Sequence, residues 1–107
     1  MRFISLLALT LFLLVSFAEA STPSEEANIH YQKALKLSQQ RLWKDAIPEF
    51  IKAAKLSPKE GLLHANLGVA LSQTGMHKEA LFSFDKALKL GYDSSGLRYN
   101  RGISFAH

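Results

Sequence analysis

The sequence predicts an all-α fold, an α-solenoid of antiparallel helix pairs, and three observations predict it. First, the chain repeats itself at a spacing of 34 residues: sliding Ala27–Glu60 over Gly61–Ser94 brings eleven identical positions together. His30 meets His64, Leu37-Ser38-Gln39 meets Leu71-Ser72-Gln73, Lys44 meets Lys78, and Ala46 meets Ala80. Phe50 meets Phe84, Lys52 meets Lys86, Ala53 meets Ala87, and Lys55-Leu56 meets Lys89-Leu90. Second, apolar residues recur near helical spacing, and no segment sustains the alternation of a strand. Third, the connections are short, so successive helices must be antiparallel neighbours. Self-similarity at this period marks a stacked array, in which each unit buries its apolar face only against its neighbours.

Residues 1–20 stand apart from the repeats. Arg2 is a short positive start, Phe3–Phe17 carries no charge, and Ala18-Glu19-Ala20 sets small residues around a polar one before Ser21. This is the layout of a secretory signal peptide cleaved after Ala20. The apolar run is shorter than the roughly 17–25 residues that a spanning helix needs, and no stop-transfer pattern follows. The expectation is an exported chain, periplasmic or secreted, with no stable membrane span after cleavage and with residues 21–107 as one small domain. That domain has no Cys, so disulfides cannot support it. A core of this size gives a net stability on the order of 3–5 kcal/mol, and helix packing, a partner or self-association must supply it.

The net charge is +4 and stays so after cleavage, because Arg2 and Glu19 leave together. The lysines recur with the repeat and fall between apolar positions, as on a solvated outer face. No aromatic residues interleave with them to make a stacking platform, so nucleic acid is not an expected partner.

Along the chain, Thr22-Pro23-Ser24-Glu25 reads as a helix start, with Thr22 as cap and Pro23 at the first helical position. The helix runs to about Gln40 and carries Ile29, Ala34, Leu35 and Leu37. Arg41-Leu42-Trp43 is a short turn. The second helix spans about Lys44 to Leu56, with Ala46, Ile47, Phe50, Ala53 and Ala54 on one stripe. Pro48 lies near its first turn, where it can bend the helix without breaking it. Ser57-Pro58-Lys59-Glu60 repeats the starting device of cap, proline and acid. The third helix runs to about Thr74, and Gly75 stops it. The fourth spans about His77 to Leu90, burying Ala80, Leu81, Phe84, Ala87 and Leu88, with Gly91 as its stop. Asp93-Ser94-Ser95 offers caps for a fifth, from Leu97 to the chain end.

The small residues Ala34, Ala46, Ala53, Gly68, Ala80 and Ala87 let paired helices approach closely, with Phe50 and Phe84 filling the space beside them. With Leu67-Gly68, Leu71 and Gly75, and with the Trp43 and Pro58 of the first unit, this pattern resembles the tetratricopeptide repeat (TPR), a 34-residue helix-turn-helix unit. The resemblance covers nearly all of Ala27–His107: units of about 27–60 and 61–94, and the first helix of a third at 95–107, where Arg98, Asn100, Gly102 and Phe105 fit. The chain departs from the family at His30 and His64, where Trp is frequent, at Lys33, where Leu is frequent, and at Gly91-Tyr92, which stand in place of a closing proline. Two and a half units fall below the roughly three that such arrays use. Leu97, Ile103, Phe105 and Ala106 also make the last helix apolar, where a terminal helix tends to be polar outside. Truncation, cover by another chain, or pairing of two such ends about a twofold axis are the readings this leaves.

The resemblance implies binding of peptides or helices along the concave face made by the first helix of each unit. Here that face comprises Asn28, Tyr31, Gln32, Leu35 and Gln39, then Leu62, Asn66, Val69 and Gln73, then Tyr99, Asn100 and Ile103, with no charge among them. Amides can bond the backbone of an extended segment, and tyrosines give contact area at low entropic cost. Leu35, Val69 and Ile103 read equally well as packing between stacked helices. Some relatives clamp a C-terminal carboxylate with Lys, Arg and Asn; only Asn66 resembles that set, and Tyr31, Leu35, Gly96 and Asn100 stand where basic residues are needed, which excludes such a clamp.

No catalytic, cofactor or metal residues are expected. The histidines 30, 64, 77 and 107 are scattered rather than paired at metal-binding spacing, and His30 and His64 read as packing at a helix flank. No nucleophile elbow or phosphate loop is present. The chain therefore reads as an exported interaction module that holds a protein or peptide segment in an uncharged groove. The alternative is an assembly piece, or a fragment of a larger array, that self-associates through its uncovered C-terminal helix.

Overall fold

Five α-helices and no strand make up residues 23–107, the part of the chain that the computed structural model describes. They are α1 (Pro23–Gln39), α2 (Trp43–Leu56), α3 (Gly61–Gln73), α4 (His77–Lys89) and α5 (Ser95–Phe105). The signal-peptide segment and the Thr22 cap lie outside the described residues. Each helix packs on the next: α1 on α2, α2 on α3, α3 on α4 and α4 on α5, while α3 also touches α5. The first helices of the repeats, α1, α3 and α5, thus form one layer, with α2 and α4 behind them.

The core is the repeated set of small and aromatic residues. Ala34, Ala46, Ala70, Ala80 and Ala87 are fully buried, and Phe50 and Phe84 are sealed beside them. Gly68 shows how tight the contact is: a Cβ built there would lie 2.5 Å from Cε1 of Phe84, so α3 and α4 close only because this position has no side chain. Ile47, Ala54, Leu81 and Leu88, expected inside, are half-buried at the edge of the core.

Three helices end by one device. The backbone N–H groups of Leu42, Met76 and Tyr92 reach back to the carbonyls of Leu37, Leu71 and Ala87 at 2.9, 2.9 and 3.0 Å, as in a Schellman turn. The residue at the turn has positive φ in each case: Arg41 at 60°, Gly75 at 82° and Gly91 at 89°. The glycines were legible as stops; Arg41, which matches Gly75 across the repeat, was not.

The structure corrects several boundaries. α2 starts at Trp43, one residue early, and runs unbroken through the exposed Pro48. Ser57-Pro58-Lys59-Glu60 does not open the third helix with a serine cap. Ser57 instead closes α2, its N–H bonded to the Ala53 carbonyl at 2.9 Å, and α3 starts at Gly61 with Glu60 before it and no side-chain cap. The backbone of Ser57 is taken up by the end of α2, and Gly61 packs closely on the α4–α5 turn, where a Cβ would meet that of Tyr92 at 2.6 Å. α5 starts at Ser95 rather than Leu97, because Ser94 caps it and its Oγ accepts from the Leu97 N–H at 3.1 Å. Within α5, Leu97 is buried, contrary to a wholly bare helix, while Ile103 and Phe105 are 39% and 74% exposed.

Candidate functional site

The layer of first helices carries the candidate groove residues, and the structure brings some of them together. Tyr31 on α1 and Asn66 on α3 meet across the helix–helix seam, where the Asn66 Nδ2 donates to the Tyr31 hydroxyl at 3.0 Å. On one side of this bond Asn66, Val69 and Asn100 line a hollow of about 180 Å³ between α3 and α5. On the other, Asn28 and Tyr31 line a second of about 210 Å³ beside the α2–α3 turn. Within α1, Gln32 Nε2 donates to Asn28 Oδ1 at 3.5 Å. The face therefore offers a run of amides and one phenol over three helices, each with hydrogen-bonding capacity left over.

Burial pushes the Tyr31 phenol above its ordinary pKa, and the Asn66 bond opposes this only in part. The phenol thus keeps its proton and remains a donor beyond the bond it accepts. Its ring tilts against Phe50 with centroids 6.2 Å apart, so core packing fixes the position of the hydroxyl.

Other candidates lie elsewhere. Gln73 lines a separate hollow with Arg41, Trp43 and Thr74, at the opposite ends of the helices. Gln39 is exposed. Tyr99 is 70% exposed and lines neither hollow beside the Tyr31–Asn66 bond. Leu35 and Val69 pack against the core, as the packing alternative held, while Leu62 and Ile103 are 42% and 39% exposed. The face is not wholly without charge: Glu60 edges the Asn28–Tyr31 hollow. It was missed because it stands in the turn after α2 and not on a first helix.

Three of the four histidines are held by polar partners. His64 is buried with Nε2 2.9 Å from the Pro58 carbonyl, to which it donates. His30 Nδ1 lies 2.7 Å from Glu49 Oε2. Glu49 is buried on α2, with Lys33 and Lys52 ammonium groups 3.5 and 3.6 Å from its other oxygen. The His30 hydrogen bond, against the cost of burial and helped by the two lysines, holds this carboxyl below the usual glutamate value. This cluster was not legible in the sequence. Its trace was an acid inside the apolar stripe of α2, where the next unit carries Ser83.

His77 Nδ1 is 3.3 Å from the Ser104 hydroxyl, which donates to Ser72 Oγ at 2.7 Å. The three groups form one short polar chain, His77–Ser104–Ser72, between α4, α5 and α3. Ser104 is also buried. The His77 ring stacks on His107 with centroids 4.2 Å apart. Among the described residues no group of three or more His, Asp or Glu could hold a metal ion, and no helix is long and apolar enough to cross a membrane.

The fold and this face together define an all-α stack of helix hairpins with an amide-lined layer of first helices. No protein-family model matches the chain, and no curated protein matches it either. The likeness to the tetratricopeptide pattern rests on the residues themselves.

Proposed function

We propose that this chain is an exported tetratricopeptide-type interaction module that holds an extended segment of another protein along the α1–α3–α5 layer. The observation that carries the reading is the continuity of unspent hydrogen-bonding groups over the three first helices: Asn28 and Tyr31, then Asn66, then Asn100, around two hollows. An extended backbone offers alternating donors and acceptors, and carboxamides match both. Tyr99, largely exposed on α5, adds contact area at the end of the run. Export rests on the layout of residues 1–20, and the repeat family on the 34-residue identity.

The test is capture of exported proteins by the full chain and by the Asn66→Ala/Tyr99→Ala double variant. The reading predicts a captured protein that the double variant loses while its helix content is unchanged. Equal capture by both forms contradicts it. Self-association is the second reading, favoured by the exposure of Tyr99, Ile103 and Phe105 on one short helix. Light scattering separates the two, since a monomer at high concentration excludes self-association.

A further inference from the structure

Behind the first-helix layer, α2 and α4 do not close on each other. Between them lies an open recess of about 340 Å³, at the lower end of the roughly 300–1,000 Å³ that ligand pockets occupy. Ile51 and Ala54 of α2 and Phe82 of α4 form its apolar walls, and Leu67 of α3 lies in its floor. Phe82 is 72% exposed and Ile51 38%. Lys55 and Lys86 stand at its rim, and an adjoining hollow adds Lys89.

The charge of the rim is uncompensated. Lys55, Lys86 and Lys89 form no ion pair among the described residues. Among the described residues the only acid lining either hollow is Asp85, and its Oδ1 is already bonded to Arg101 Nε at 2.7 Å. An apolar recess bordered by unpaired cations is complementary to one class of partner chemistry. We propose that it docks an acidic amphipathic helix of a partner protein, which seats a large apolar side chain between Ile51 and Phe82 and sets carboxylates against the three lysines. This is the helix-in-groove mode of recognition, with charge pairs at the rim setting association rate and selectivity. A lipid surface fits less well. Membrane contact needs apolar side chains that project past the cations, and Ile51, Ala54 and Leu67 of the lining are each less than half exposed. The repeat makes the site specific to this junction: Pro48 stands where the second unit has Phe82.

The inference does not depend on the face of the first helices, and the experiment keeps the two apart. The probe is a fluorescently labelled helical peptide with leucine and phenylalanine on one face and glutamates on the other. A control peptide has lysine for glutamate, and vesicles of phosphatidylcholine with phosphatidylglycerol form a separate arm. The full chain binds the acidic peptide saturably, more weakly as salt rises, and not the basic one. Phe82→Ser and the Lys55→Glu/Lys86→Glu double variant each weaken binding about tenfold or more, the scale of losing an anchor. These positions are at the surface, and circular dichroism verifies that the variants fold. Asn66→Ala/Tyr99→Ala leaves peptide binding unchanged. Absence of saturable binding at about 1 mM peptide, or unchanged affinity in the Phe82 and lysine variants, overturns the proposal. So does binding to the anionic vesicles without binding to the peptide, or a dimer of the chain that Phe82→Ser abolishes.

Discussion

Two residues show how single atoms set the properties of this chain. At Gly68, a methyl group would intrude on the Phe84 ring, with 2.5 and 2.7 Å to its nearest carbons. Overpacking of this kind costs about 2 kcal/mol, a large part of what so small a core supplies. Gly68→Ala is therefore expected to lower the midpoint of urea unfolding markedly without changing helix content. Glu49 gives a pH dependence. Its carboxyl is held below the ordinary 4.5 by the His30 bond, and then by Lys33 and Lys52. A depressed carboxylate stabilises the fold above its unfolded pKa and loses that contribution as pH falls through the lowered one. Glu49→Gln should thus be less stable than the parent at neutral pH, with the gap narrowing as pH drops below 4.5. A gap that stays constant with pH would contradict a contribution from the ionised carboxylate. Gly68 was legible from the small-residue pattern. Glu49 was not, because an isolated acid in an apolar stripe reads as an exposed flank until the cations of the neighbouring helix are placed.

The helices themselves were largely readable, and their ends were only half so. Glycine stops at Gly75 and Gly91 follow from local chemistry, because only a residue without Cβ takes positive φ at no cost. Arg41 makes the same turn at φ 60°, and nothing local announces it; only the 34-residue register points to it. A side chain in the left-handed region costs about 1 kcal/mol. Arg41→Gly is accordingly expected to stabilise the chain by about that amount, read as an upward shift in the thermal midpoint. A lower midpoint would mean that the Arg41 side chain makes contacts worth more than the strain. The misplaced start of α3 has the opposite origin. Ser57, Pro58 and Glu60 form a sound capping signal, but Ser57 is taken up by the end of α2. Local cues fix where a helix can begin, and packing chooses among them.

At the scale of the whole molecule, repetition in sequence becomes two layers in space. The first-helix layer collects amides from α1, α3 and α5, and the layer behind collects lysines from α2 and α4. The composition of each face was visible in the register of the repeat. What the register concealed was the local pairing of residues. Tyr31 and Asn66 meet each other at 3.0 Å, Gln73 lies at the far end of the helices, and Glu60 enters from a turn. Those placements depend on how neighbouring units seat, which no single unit encodes. Site-specific photo-cross-linking in the cells that make the chain tests the central claim most directly. A photoreactive residue at Leu62, exposed on α3, should capture a partner protein, and Asn66→Ala/Tyr99→Ala in the same chain should abolish the product. The same group at Glu79, exposed on α4, should not capture that partner. Capture of one protein equally from both positions, or none from Leu62, would contradict the account.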